Sequence, residues 1–364
     1  MKKLLLLFAV MLSTAFGAVL GATVGLNPVV SGIGTTALFG LASADQGIGY
    51  ARAGFDISAI NAQLGAYMRR YEQVIQTRMF QGIELEKYMR KVGNVSDEYS
   101  VQSSSVTEIL QGYQCEYTPK GETSFDARIN KVRHIKLDYD LTCIDEIYQS
   151  WLAFLAQEGV ARDKWPFVKF IVQKNILPKI KEEIAFNSYN GAYVAPTAGT
   201  AGASVATVDG LGTIVANEIT GGGITPVPTG AITPTNIVDK VEGFVDSLPS
   251  LYRGIKTPIL MSETNARNYW RDYRNNFGGN ANYDGKSNLM VDATSKTIIG
   301  IPEMNGSDRF IHTTKDNLLC MYDKIYTPNT LRTELEKRQI HIMGDFKRGY
   351  GIGRLDEMFV NDQA

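Results

Sequence analysis

The stretch ILQGYQCEYTPKGETSFDARINKVRHIKLDYDLT, residues 109–142, carries the decisive pattern of the chain. Ile135, Leu137, Tyr139 and Leu141 alternate with Lys136, Asp138 and Asp140, the period of a strand covered on one side and wet on the other. Upstream, Thr118-Pro119-Lys120-Gly121 joins a proline that fixes φ to a glycine that accepts positive φ, which predicts a chain reversal. The spacing therefore predicts one long antiparallel hairpin within residues 101–141, Thr107 to Tyr117 running out and Ser124 to Leu141 running back. Strands of about 11 to 18 residues at roughly 3.3 Å each reach tens of ångströms, and an isolated two-stranded ribbon is marginal in water. Such a ribbon needs a surface to lie on, and the expectation is a neighbouring subunit.

Two helical patterns come next. Ile144 to Ala156 is apolar at helical spacing. From Trp165 to Tyr189, Val168, Val172, Ile176, Ile180 and Ile184 recur every four positions, while lysines and glutamates fill the other side. Pro166 suits a first helical turn and Gly191 lies just past the end. Pro178 falls inside the pattern, where it removes a hydrogen bond and clashes with the preceding turn, so a kink or two helices in sequence are expected there.

Ahead of the ribbon, Ile57 to Arg90 reads as helical. Beyond the long helix, residues 192–235 are rich in Gly, Ala, Thr, Val and Pro and read as a long surface loop or weak β-ribbon. Thr233-Pro234 then opens a helix with Ile237, Val238, Val241, Phe244, Val245 and Leu248 on one face. Residues 257–261 form a short buried strand, with Ser262 placed to cap a helix from Glu263 to Asn275. Asp284-Gly285 marks a turn. Short strands are expected at 297–301, 309–313 and 318–322, and two β-like runs at 339–343 and 350–359 are separated by Gly344 and Gly349.

With 364 residues, 44% apolar and 21% charged, the chain can bury a substantial core. Its formal charge of -1 excludes coating of nucleic acid by bulk basicity. A local basic face exists between residues 162 and 183, where six Lys/Arg meet three acids, and its plain reading is a solvated helix face. Cys115, Cys143 and Cys320 are far apart, without CxxC spacing, and read as free thiols. His134, His312 and His341 have no metal-ligand spacing, and neither a Walker A loop nor a Gly-x-Ser-x-Gly elbow occurs. No catalytic, cofactor or metal residue is therefore nominated, and no small-molecule substrate. Lys2 and Lys3 followed by LLLLFAVMLSTAFGAVLGA have the layout of a secretory signal peptide.

The succession of N-terminal arm, hairpin, long helix (KWPFVKFIVQKNILPKIKEEIAFNSYNG), strand-helix unit (KTPILMSETNARNYWRDYRNNFG) and closing strands (TIIGIPEM, DRFIHTTKDNLLCMYD, FKRGYGIGRLDEMFV) resembles the major capsid proteins of tailed bacteriophages, the Hong Kong 97-type fold. The resemblance runs from about residue 57 to residue 362. It implies an α+β chain with an apolar N-terminal segment (1–43), an arm (44–100), an extended loop (101–141), a peripheral domain with a spine helix (142–191 and 324–364) and an axial domain (192–323). It implies self-association into pentamers and hexamers, an icosahedral shell holding double-stranded DNA without sequence specificity, and portal, scaffold or decoration proteins as further partners. Assembly would take place in the host cytoplasm and the protein would reside in the virion. Because some members of that family cross-link a lysine of the loop to an asparagine of a neighbour, Lys120 and Asn361 are the candidate inter-subunit contact.

Two other readings stand beside this one. A cellular nanocompartment of the encapsulin kind would share the fold and enclose an enzyme cargo. An exported bacterial surface or adhesion protein would use the signal-like residues 1–43, which on the first reading are an arm removed in maturation or packed under a neighbour.

Overall fold

The computed structural model describes residues 56–80, 82–277, 289–292, 294–324, 331–337 and 339–363. The signal-like segment and the Asp284-Gly285 turn lie outside them. Among the described residues no helix is long and apolar enough to cross a membrane. The chain divides into two compact units, 1–62 and 63–364. Of the first only 56–62 are described, where the Asp56 carboxylate accepts a hydrogen bond from the Ala59 N–H at 3.1 Å and so caps the start of helix α1 (Ile57–Arg70). The second unit holds the rest of the described chain.

The fold is mixed α+β. In chain order the strands are β1 (Arg90–Val92), β2 (Glu98–Val106), β3 (Thr123–Lys131), β4 (Arg133–Leu141), β5 (Ile259–Ser262), β6 (Leu289–Met290), β7 (Thr297–Ile301), β8 (Ile311–Thr313), β9 (Leu318–Tyr322), β10 (Leu331–Glu336), β11 (Gln339–Ile352) and β12 (Met358–Val360). The helices after α1 are α2 (Glu72–Phe80), α3 (Ile144–Glu158), α4 (Phe167–Phe170), α5 (Leu177–Asn190), α6 (Leu211–Thr220), α7 (Ile237–Asp246), α8 (Ser250–Arg253) and α9 (Glu263–Phe277).

One sheet is organised by β11. Its first half pairs antiparallel with β10, and from Ile340↔Leu141 to Arg348↔Arg133 it pairs antiparallel with β4. Its end pairs with β9, which β1 joins in parallel. The second sheet has the order β12-β8-β5-β7-β6, with β5 and β7 parallel. β2 and β3 pair only with each other.

The hairpin expectation is thus corrected in its register. The outgoing strand is Glu98–Val106, the returning strand ends at Lys131, and β4, with its period-two pattern, belongs to the sheet of the body. A single residue between β3 and β4 redirects the chain: Val132 is buried and gives its N–H to Asp97 O at 2.7 Å. The two β-like runs at 339–343 and 350–359 also prove to be one 14-residue strand, β11, followed by β12. Gly349 and Gly351 are required because the β3–β4 junction crosses there: a Cβ on Gly351 would sit 2.6 Å from the Asn130 side-chain carbon, and one on Gly349 would meet the Lys131 carbonyl.

Pro178 is accommodated as expected, by two helices in sequence. Between α4 and α5 the chain widens into a π-helical stretch, Ile171–Ile176, and Pro178 falls in the first turn of α5, where its missing N–H costs nothing. The stripe Val168, Val172, Ile176, Ile180 and Ile184 is buried throughout. The helical reading of residues 57–90 breaks after Phe80, giving way to a 3-10 turn (Leu85–Tyr88) and then β1.

Residues 192–235 are not a long loop. They contain α6, whose Leu211 and Val215 are fully buried beside Tyr189, Ile311 and Ile352. The small residues serve close backbone approach: a Cβ on Gly210 would lie 2.5 Å from the Tyr189 carbonyl oxygen. The Asn187 amide donates to Ser204 O at 2.8 Å and Thr213 Oγ1 to Gly191 O at 2.6 Å, fixing the segment to the end of α5.

A second core gathers Ile237, Val241 and Phe244 of α7, Tyr269 of α9, and Ile259, Met261, Ile298 and Phe310. The strands anticipated there are present, as is the cap, Asn265 N–H donating to Ser262 Oγ at 3.3 Å, whereas the helix expected from Thr233-Pro234 begins only at Ile237. Lys296, Arg309 and Arg348 are cationic side chains buried in the body. Arg348 forms an ion pair with Glu86, donates from Nε to Tyr350 OH at 2.9 Å, and lies over the Phe80 ring at 4.7 Å. Lys296 is fully buried without a carboxylate and donates to Tyr252 O, Ile255 O and His312 Nε2 at 2.8, 2.5 and 2.9 Å. Burial, reinforced by Lys296, lowers the His312 pKa to about 4, and burial lowers that of Lys296 to about 8.

Candidate inter-subunit interface

The ribbon β2–β3 is fastened to the body at one end only. Near its base Tyr99 and Val101 pack with Val132, Leu319 and Met321. Arg128 donates from Nε to Ile352 O at 3.0 Å and forms an ion pair with Glu218 at 2.8 Å, while the Asn130 side-chain oxygen accepts from Ile352 N–H at 3.3 Å. Beyond this clasp every residue from Ser104 to Ala127 is exposed.

The register gives the ribbon two unlike faces, because directly opposed residues of an antiparallel pair project to the same side. Ser103↔Asp126 and Ser105↔Ser124 form a polar face, with Ser105 Oγ and Ser124 Oγ 2.6 Å apart. On the other side Val106, Phe125, Ala127 and Ile129 are exposed, each directly opposite a polar residue, Thr123, Ser104, Gln102 and Ser100. Phe125 of β3 is 80% exposed, and in the tip Leu110, Tyr113 and Tyr117 are 91%, 96% and 92% exposed. Soluble monomers seldom leave large contiguous apolar patches bare, and such a patch marks a binding surface. The arrangement offers association chemistry, namely apolar burial with aromatic anchors of the kind that dominate interface hot spots.

The tip is ordered by its own polar contacts. Thr107 N–H donates to Glu122 O at 3.0 Å, Glu122 N–H to Thr107 Oγ1 at 2.7 Å, and Gln111 Nε2 to Thr118 O at 2.6 Å. Gly121 adopts φ of 98°, in the left-handed region open to glycine. Residues 107–122 form a broad loop and not a tight turn at 118–121.

Of the two residues nominated from sequence, Lys120 lies in this loop, with Nζ 2.9 Å from Glu108 Oε2 and 3.2 Å from Leu110 O. Asn361 is fully buried beside β12, its Oδ1 accepting from Phe310 N–H at 2.8 Å and its Nδ2 donating to Asp308 O at 2.9 Å. Within one chain each has its own partners. The residues that sequence reasoning missed are Phe125, Ala127 and Ile129, whose i, i+2, i+4 spacing stands in the sequence but whose exposure does not. Cys115 and Cys143 are exposed and Cys320 is buried. Among the described residues no group of three or more His, Cys, Asp or Glu side chains could hold a metal ion.

No protein-family model matches the chain, and no curated protein matches it. Similar solved structures exist at low identity. A satellite phage P4 procapsid that includes the size determination protein is 11% identical, with 80% of this chain and 90% of that chain covered and a TM-score of 0.49. A chain of the cyanophage A-1(L) capsid is 13% identical, with 76% and 91% covered and a TM-score of 0.46. One of the holo-SrpI encapsulin complex from Synechococcus elongatus is 13% identical, with 78% and 88% covered and a TM-score of 0.45.

Proposed function

We propose that this chain is a structural shell protein, a major capsid protein of the Hong Kong 97 kind, whose work is self-assembly and not catalysis. The observation that carries the reading is the ribbon: residues 104–127 are wholly exposed and include the large apolar side chains Val106, Ile109, Leu110, Tyr113, Tyr117 and Phe125. A two-stranded ribbon holding that much bare apolar surface is stabilised by covering it, and in a self-assembling protein the cover is another copy.

In this reading the ribbon laps onto a neighbour. Residues 142–191 and 324–364 make the peripheral domain, and residues 192–323 the axial domain that meets its copies around five-fold and six-fold axes. Pentamers and hexamers close an icosahedral shell that holds double-stranded DNA, contacted without sequence readout, and the protein resides in the virion. Portal, scaffold and decoration proteins are its further partners. Lys120 lies in the contact zone, whereas Asn361 would have to release two backbone hydrogen bonds to join it.

Expression of the full chain, followed by sedimentation and electron microscopy, tests the proposal. Closed particles or ring-shaped capsomers are expected. Monomers under every ionic strength and concentration tried would overturn it, and particles filled with an enzyme and devoid of nucleic acid would turn the reading to a nanocompartment.

A further inference from the structure

The second unit carries an open groove of about 1040 Å³, walled by α1 from Gln63 onward and α2 on one side and by residues 163–178 on the other. That volume lies at the top of the range, about 300–1,000 Å³, in which a drug-sized ligand is held, the size class of a nucleotide. Five cations line it, Arg70, Arg78, Lys164, Lys169 and Lys174, against one acid, Asp163. None of the five takes part in an ion pair among the described residues. Three are held by rings instead: Lys169 and Lys174 lie over Trp165 at 4.3 and 5.7 Å, and Arg70 over Tyr71 at 5.6 Å. A ring face holds a cation in place without cancelling its charge, so the groove keeps a positive field that suits an anion.

Flat apolar surface stands beside that charge. Tyr67 and Tyr71 pack with ring centroids 4.7 Å apart, and Gln173 Nε2 donates to Tyr67 OH at 2.7 Å, fixing the half-buried ring and leaving Tyr71 as the exposed one. A bare aromatic ring next to uncompensated cations is the pairing that holds an unpaired nucleotide, with the base on the ring and the phosphate on the ammonium and guanidinium groups. Duplex DNA keeps its bases stacked on one another and would use the cations alone. An acidic peptide brings the charge without the base. We propose that this groove is a binding site for an unpaired nucleotide, free or within a single strand. The site is separate from the duplex contact of the shell reading and stands whether or not the chain assembles.

The test uses the full chain before assembly and follows the fluorescence anisotropy of a labelled oligothymidylate of about 15 residues. Binding is expected at low salt, at least tenfold tighter than that of a duplex of the same length. Tyr71→Ala should weaken it at least tenfold, and Tyr71→Phe, which keeps the ring, should retain it, while binding of the duplex changes little in either variant. Lys169→Gln with Lys174→Gln should weaken both ligands and flatten the logarithmic salt dependence of the single strand by about 1.4, the loss of two phosphate contacts.

Competition by ATP at equal nucleotide concentration assigns the site to the free nucleotide, and competition by unlabelled strand alone assigns it to the strand. A duplex that binds as tightly as the oligothymidylate, or an affinity that Tyr71→Ala leaves unchanged, would overturn the proposal in favour of phosphate attraction without stacking. Polyglutamate of matched charge that displaces the probe equally well would overturn it in favour of an acidic peptide, and absence of binding at low salt would overturn it outright.

Discussion

Phe125 and Phe244 have the same side chain and opposite surroundings. Phe244 sits on α7 with no exposed surface, facing Phe310 edge-on at 6.0 Å, in a core closed by strands and helices of its own chain. Phe125 projects from β3 opposite Ser104 and is 80% exposed among the described residues. The difference lies in the backbone. α7 has satisfied its hydrogen bonds internally and presents a single apolar stripe to β5 and α9, whereas β2–β3 satisfies each strand only against the other and leaves two faces open. One region contributes its apolar surface to the stability of the chain, and the other, on the proposed reading, holds it for assembly.

The largest effect expected from this comparison is replacement of residues 107–122 by Asn-Gly. Particles should disappear from sedimentation profiles while calorimetry finds the melting temperature of the body shifted by no more than a few degrees; a collapse of the melting temperature would show that the ribbon belongs to the fold. Next, Phe244→Ala should destabilise the unassembled chain by about 3–5 kcal/mol in urea titration, and Phe125→Ala by less than about 0.5 kcal/mol. Equal costs would erase the distinction between the regions.

A smaller effect depends on pH. Buried His312 stays neutral down to about pH 4, while in the unfolded chain it takes up a proton near 6.5. Stability is therefore full above pH 6.5 and is lost as pH falls from 6.5 towards 4, by about 2 kcal/mol at pH 5 on linkage arithmetic. His312→Gln should flatten that part of the unfolding profile without changing hydrogen exchange in the ribbon. Smallest is the clasp: Arg128→Ala removes the bond to Ile352 O and the ion pair with Glu218, at a cost of about 1–2 kcal/mol. It should be read as faster amide exchange in residues 98–101, and unchanged exchange there would show that Tyr99 and Val101 hold the base alone.

Much of the body is legible in sequence because its patterns are local. The four-residue recurrence from Val168 to Ile184, the cap at Ser262 and the strands at 297–301 and 318–322 each announce themselves within a single element. The misreadings share one cause, in which composition stands in for conformation. Residues 192–235 read as a loop because they are small, yet Gly191 and Gly210 are small so that two backbones can meet beneath Tyr189. Gly344 and Gly349 read as breaks in a strand, yet β11 runs through both, and Gly349 is where the β3–β4 junction crosses it.

The ribbon divides in the same way. From sequence alone came the expectation of a ribbon and its approximate place, since a Pro-Gly turn signal and the spacing around it are properties of a segment by itself. Which strand pairs with which was decided in three dimensions. β4 carries the clearest alternation in the chain and joins β11, because a period of two specifies a covered face without naming the cover. The Ser-rich residues 98–106 thereby became the outgoing strand, and that pairing, set by contacts far apart in the chain, left Val106, Phe125, Ala127 and Ile129 exposed on the face on which the proposed assembly depends.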